Sequence, residues 1–160
     1  MPCYLFTFHA YGSWLPDHRR GYVHRGDGIL PTDEHMGELY RGNLKQAEVR
    51  FDHEIQRRLV DAGLGACSHQ SLRCHFVSTE PTHVHVLASW TDDRQWQDIR
   101  RQLGSSLTRS LNQNVKRQKW LAKSPSHKRV NDRRHFTYLT TDYLVKHSGV
   151  KWAEGRGVFQ

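Results

Sequence analysis

Short apolar runs alternate along this chain with longer segments in which apolar residues return every three or four positions, and the two rhythms predict strands and helices. The first run, Cys3 to Ala10 (CYLFTFHA), is aromatic-rich and turn-bounded and predicts a buried strand. Residues 11–35 hold Gly, Pro, Asp and Arg without periodicity and predict a long loop, which in a compact domain is often functional. Asn43 is a candidate cap for a helix to about Ala62. Leu44, Ala47, Phe51, Ile55, Leu59 and Ala62 recur at helical spacing, and Gly63 and Gly65 predict its end. Residues 71–79 (SLRCHFVST) predict a second strand, which Glu80-Pro81 turns into a third. A helix from about Gln95 to Asn112 follows Asp92 or Asp93, its buried stripe marked by Trp96, Ile99, Leu103, Leu107 and Leu111. Trp120 and Leu121 predict a short strand or anchor. A final helix covers about Thr137 to His147, stopped by Ser148-Gly149, and Ala153 to Gln160 predict a frayed end. This order predicts an α+β domain of the ferredoxin-like, split βαβ pattern: an antiparallel sheet with helices on one face, and a C-terminal helix bearing a tyrosine. With 160 residues and no internal repeat, the chain is expected to be one domain, 1–160, with 11–35 as a basic loop insertion.

The third strand changes the picture from fold to chemistry. In Thr82-His83-Val84-His85-Val86-Leu87 the side chains alternate between the faces of a sheet, so both imidazoles project from one face and both valines from the other. Two neutral imidazoles side by side on a strand make half of a transition-metal site; ordinary hydrogen bonds would also satisfy them.

Charge adds a partner class. Lys and Arg number 24 against 16 acidic residues, a net charge of +8 and an isoelectric point near 9.7. Such a field gathers polyanions, and nucleic acid leads among them. The candidate contacts are Arg19, Arg20, Tyr22 and Arg25 in the 11–35 loop, Arg100 and Arg101 off the buried stripe of their helix, and Lys116 and Arg117 at the head of the basic stretch 116–134. An aromatic among cations could stack one base and track a backbone; a solvated surface arm has the same composition. No run of about 18 apolar residues is present, so no membrane helix is expected. The opening Met1-Pro2-Cys3-Tyr4-Leu5-Phe6 lacks a basic signal region and reads directly as a strand, which predicts a cytoplasmic protein. Cys3, Cys67 and Cys74 form no CxxC and are expected as small buried hydrophobes.

A nucleophile and a third ligand can be found on the final helix. Tyr143 and His147 are four apart and so share one helical face. Tyr138 with Asp142 offers the same spacing, but imidazole matches the donors of the strand pair. A helix beside the strand would present His147 to the metal and the Tyr143 hydroxyl close by, with Lys146 as a nearby cation to favour phenolate.

These residues resemble the single-tyrosine HUH transposases, including the REP-associated enzymes. The resemblance is carried by Thr82-His83-Val84-His85-Val86-Leu87 and Tyr143-Leu144-Val145-Lys146-His147. It is extended by Tyr11-Gly12-Ser13-Trp14-Leu15-Pro16 and Arg20-Gly21-Tyr22-Val23. It implies metal-dependent cleavage and rejoining of single-stranded, hairpin-containing DNA. Tyr143 would attack to leave a 5′-phosphotyrosine link, and His83 and His85 would hold Mg²⁺ or Mn²⁺. It is compatible with one chain acting alone and with a homodimer. Two positions depart from the family pattern. His147 stands where an amide is common, which shifts the site toward softer ions such as Mn²⁺ or Zn²⁺. Thr82 stands where Asn or Asp is common. A non-catalytic nucleic-acid-binding module on the same fold is the competing expectation, and a zinc-stabilised protein using histidines with Cys67 or Cys74 is a weaker one.

Overall fold

Alternation of side chains between two faces marks strand β1, Cys3–His9, which lies between strands His83–Ser89 and Ser126–Arg129 in the sheet. Tyr4, Phe6 and Phe8 point to one face, and Leu5, Thr7 and His9 to the other. The computed structural model describes residues 1–13, 21–24 and 28–160, with backbone only for 22–24 and 28. Among these residues the elements after β1 are β2 (Tyr22–His24), β3 (Gly28–Leu30), α1 (Glu34–Gly42), α2 (His53–His69), β4 (Arg73–Glu80), β5 (His83–Ser89), α3 (Trp96–Asn114), β6 (Ser126–Arg129) and α4 (Arg133–Tyr138). A π-helical turn (Leu139–Tyr143) continues α4, and β7 (Lys151–Ala153) and β8 (Gly157–Phe159) follow. The described residues are therefore α+β, with four helices and a six-stranded sheet in the order β6-β1-β5-β4-β7-β8, every pairing antiparallel. β1, α2, β4, β5, α3 and β6 make the βαββαβ order of the expected pattern, with β2, β3 and α1 inserted between β1 and α2.

The first face is apolar and covered by α2 and α3. Ile99, Leu103, Leu107 and Leu111 are wholly buried there against Phe6, Val84 and Val86. Each such side chain contributes about 1.5–3 kcal/mol by leaving water. Gly63 of α2 lies against the sheet, where a Cβ would make an ordinary van der Waals contact with Val77.

Several elements differ from the sequence reading. Residues 11–35 are not one loop. β2 and β3 pair in a separate hairpin, with Gly21 at φ +78° where any Cβ would run into the Leu30 carbonyl, and α1 starts at Asp33, whose carboxylate accepts from Met36 N at 2.9 Å. Three-residue strands are too short to show a period. The helix expected from Asn43 starts ten residues later: Asn43 closes α1, and Asp52 caps α2 by accepting from Ile55 N at 2.9 Å. Between them the chain is held irregular by Val49 N donating to Tyr11 O and Phe51 N to Pro81 O. Gly63 and Gly65 lie inside α2, which ends at Gln70, before Ser71 with its positive φ of 56°. The basic stretch contains β6, and its Trp120 is the expected anchor, buried to 2% exposure with Nε1 donating to Asn112 Oδ1 and Lys116 O. Residues 153–160 are not frayed; they enter and complete the β7–β8 hairpin.

Helices do not all lie on one face. Leu5, Phe76 and Leu87 form an apolar patch on the second face, and Leu139 and Leu144 of the last helical segment cover it. That segment is not the uniform α-helix expected over 137–147. Leu144 N donates to Leu139 O at 2.9 Å, the i→i+5 bond of a π turn, which aligns these two leucines over the patch and turns Tyr143 to its side.

Candidate metal centre

Strand register orders the second face into rows, because directly paired residues of antiparallel strands share a face. One row runs Ser126, Thr7, His85, Ser78, Lys151 across five strands. Toward the end of β1 the next row is His9, His83, Glu80. On the other side lies Lys128, Leu5, Leu87, Phe76, Ala153, the row that carries the apolar patch. Two polar rows thus adjoin one apolar row, and the last helical segment crosses at their border.

His147 descends onto the polar rows from that segment. One ligand atom each from His83, His85 and His147 lie within 4.8 Å of one another. His85 is buried, 4% exposed, and the other two are half-buried. Hydrogen bonds fix the rings. His147 Nδ1 faces two backbone oxygens, Tyr143 O at 3.1 Å and Leu144 O at 3.3 Å. A carbonyl only accepts, so Nδ1 carries the proton of the neutral ring and Nε2 keeps its lone pair. His85 Nδ1 lies 2.7 Å from Thr7 Oγ1, and its Nε2 lies 3.1 Å from His147 Nε2. The Thr7 hydroxyl donates or accepts. When it donates, His85 Nε2–H donates to His147; when it accepts, both Nε2 lone pairs turn to one point, as an ion requires. His83 Nδ1 has an equivalent hydroxyl, Thr82 Oγ1, at 3.0 Å. Burial first, then the charges of His83, His147 and His9, push the His85 pKa well below its ordinary value. Burial is also the largest influence lowering His147, against an opposing effect of Glu80. Burial disfavours the charged forms of His85 and His147, which suits them to a divalent cation, and the three-histidine cluster could hold one.

The loop after His147 is held from both sides. Glu80 accepts from Ser148 N at 2.7 Å and Ser148 Oγ at 2.9 Å, while the buried Lys151 ammonium donates to His147 O and Gly149 O. Any side chain at Gly149 would meet the Thr79 carbonyl and the Gln56 amide oxygen. Tyr143 stands over the cluster. Its ring centroid is 5.7 Å from that of His85 and 5.2 Å from that of His147, and the residue is 36% exposed.

The structure thus brings together Tyr143, His83, His85 and His147. Asp142 is outside the cluster and pairs with Lys146 at 2.7 Å, so the Lys146 ammonium expected to favour phenolate is engaged by a carboxylate. Among the described residues the cluster includes no cysteine, and Cys67 and Cys74 belong to the core of the other face. Arg100 and Arg101 lie on α3, in the layer across the sheet: Arg100 sits over the Trp96 ring and donates to Pro125 O, and Arg101 pairs with Asp98. Lys116 and Arg117 are exposed just after α3. Arg19, Arg20 and Arg25 fall outside the described residues, as does the side chain of Tyr22. Sequence reasoning missed Thr7, His9, Ser78, Glu80 and Lys151. The signal for the first two is present in Phe6-Thr7-Phe8-His9, where the polar residues alternate with the aromatics.

No protein-family model matches the chain, and no curated protein does. The chain is similar in fold to a solved structure described as a REP-associated tyrosine transposase bound to a REP hairpin. The two share 10% sequence identity at a TM-score of 0.49, over 89% of this chain and 64% of the other. This chain therefore spans less than two-thirds of that protein. No described helix is long and apolar enough to cross a membrane.

Proposed function

We propose that this protein cleaves and rejoins single-stranded DNA with a divalent metal and a tyrosine nucleophile, as a single domain of the single-tyrosine HUH type. The observation that carries this reading is the Tyr143 ring set against His85 and His147 of a three-imidazole cluster. His83, His85 and His147 hold the ion, Mg²⁺ or Mn²⁺ by family resemblance, with the third imidazole favouring Mn²⁺ or a softer ion. When bound, the ion supplies Lewis-acid polarisation of a phosphate oxygen.

The residues of the chain do the rest. Tyr143 Oη attacks phosphorus, an Oη–P bond forms, and the P–O3′ bond breaks. The phenolic proton passes to solvent and the 3′ oxygen takes one up, leaving a 5′-phosphotyrosine and a free 3′ hydroxyl; the reverse reaction rejoins strands. Glu80, Ser148 and Lys151 hold the loop that aims His147. The π turn keeps the Tyr143 ring beside the cluster without burying it. The net charge of +8 favours a DNA strand, here one carrying a hairpin.

The test is to mix the protein with labelled hairpin-bearing single strands and Mn²⁺ and look for a protease-sensitive covalent adduct. Wild type should form it. Tyr143→Phe should keep the fold and bind DNA but form none, while Tyr138→Phe should form it. Adduct from Tyr143→Phe, or DNA binding by the wild type without any adduct, would remove the nucleophile from this reading and favour a binding module.

A further inference from the structure

Beside Tyr143, and lined by none of the three clustered histidines, the border between the polar and apolar rows opens into a pocket of about 360 Å³. Its floor is Leu5, Thr7 and Leu139, all buried, and its walls include the rings of Tyr138 and Tyr143. Ser126 and Lys128 form its rim on edge strand β6, all four residues of which are exposed. Two features link it to the metal centre. Thr7, in the floor, is the partner of His85, and Tyr143 is a wall of both.

Tyr138 has no role in the cluster. It is 50% exposed, its ring centroid lies 6.3 Å from that of Tyr143, and the two rings are tilted by 32°. A half-exposed phenol lining a pocket floored mostly by leucines, with Lys128 also in its lining, suits a flat ligand with a π face and an anionic tail. Unpaired nucleotides have that chemistry, whereas bases inside a duplex are already stacked.

We propose that this pocket seats the base of a nucleotide flanking the attacked phosphate, stacked on Tyr138, with Lys128 taking the phosphate on its outer side. The inference rests on the reading of the site as one that acts on single-stranded DNA. Tyr138 is then a binding residue that sets where the strand lies, and its ring rather than its hydroxyl matters.

The experiment uses the full chain and a fluorescein-labelled fifteen-nucleotide dT strand, with a second strand carrying one central 2-aminopurine. Base–aromatic stacking is worth about 1–3 kcal/mol, so Tyr138→Leu should weaken binding by about 5- to 150-fold while Tyr138→Trp stays within about two-fold of wild type. Lys128→Ala should lower the slope of log affinity against log salt by about 0.7. The fluorescence of 2-aminopurine should be quenched by wild type and Tyr138→Trp, and less so by Tyr138→Leu. Wild-type affinity and quenching in Tyr138→Leu, with an unchanged thermal melt, would overturn the inference; so would an unchanged salt slope in Lys128→Ala. Because binding is read without cleavage, the two readings fail separately. Tyr138-dependent binding with no covalent adduct removes the nucleophile and keeps the pocket, and an adduct with Tyr138-independent binding does the reverse.

Discussion

The two faces of this sheet come from the same strands, one residue apart, and they do different work. On the face of Phe6, Val84 and Val86 the core is apolar and two helices cover it, and its buried Thr79 is bonded to Gln56 Oε1 and Val150 O. On the face of Thr7, His83 and His85 two polar rows are tolerated because their members are hydrogen-bonded to one another or to the last helical segment. The first face supplies stability by removing apolar area from water. The second gives some of that up to hold three imidazoles and a phenol in one place.

That contrast can be broken by single substitutions, and the largest effect belongs to the helix-covered face. Leu103→Ala removes a wholly buried side chain from α3 and should cost about 2–5 kcal/mol in denaturant unfolding. Metal affinity of the remaining folded protein should not change. A loss under 1 kcal/mol, or a loss of metal binding at full stability, would erase the division of labour between the faces.

Thr7→Val acts on the other face. It keeps the shape and removes the hydroxyl hydrogen-bonded to His85 Nδ1, so Mn²⁺ affinity by calorimetry should fall about 10- to 100-fold, with Thr7→Ser close to wild type. Equal affinity in Thr7→Val would mean that the ring orients itself.

The smallest effect is that of pH on the metal-free protein. His85 and His147 have folded pKa values below their ordinary ones, so between the folded values and about 6.5 the unfolded chain binds more protons than the native one. Stability from these groups is therefore complete above pH 6.5 and is lost as pH falls toward and through the folded values. Thermal melts from pH 8 to 5 should show this decline, and it should shrink in His85→Ala. An equal decline in that variant would place the titration elsewhere.

Much of the second face was legible in the sequence, and the reason is local. His83-Val84-His85 puts two donors on one face by strand alternation alone, and Tyr143 and His147 are close in the chain, although the π turn ends at Tyr143 and His147 follows after a turn rather than on the expected helix. Ser78 and Lys151 were not legible, because they join the site through register between strands distant in the chain, and the same register, not the local alternation, sets Thr7 against His85. On the first face the α3 stripe read correctly, since Ile99, Leu103, Leu107 and Leu111 all go inward. The 43–62 helix did not. Leu44, Ala47 and Phe51 fall at helical spacing by coincidence, while backbone bonds to Tyr11 and Pro81 hold that segment out of a helix and Asp52 supplies the cap. The π turn was equally hidden: its reason is the apolar patch of Leu5, Phe76 and Leu87, which asks for Leu139 and Leu144 in line.

The central claim is that the polar face holds a metal ion beside Tyr143, and titration of the purified, chelator-treated protein with Mn²⁺ tests it most directly. Calorimetry should find one ion per chain in wild type and in Tyr143→Phe, and a loss of that binding in His85→Ala with the fold intact by circular dichroism. Undiminished binding in His85→Ala, or none in wild type, would contradict the claim and leave the three imidazoles as a hydrogen-bonded cluster.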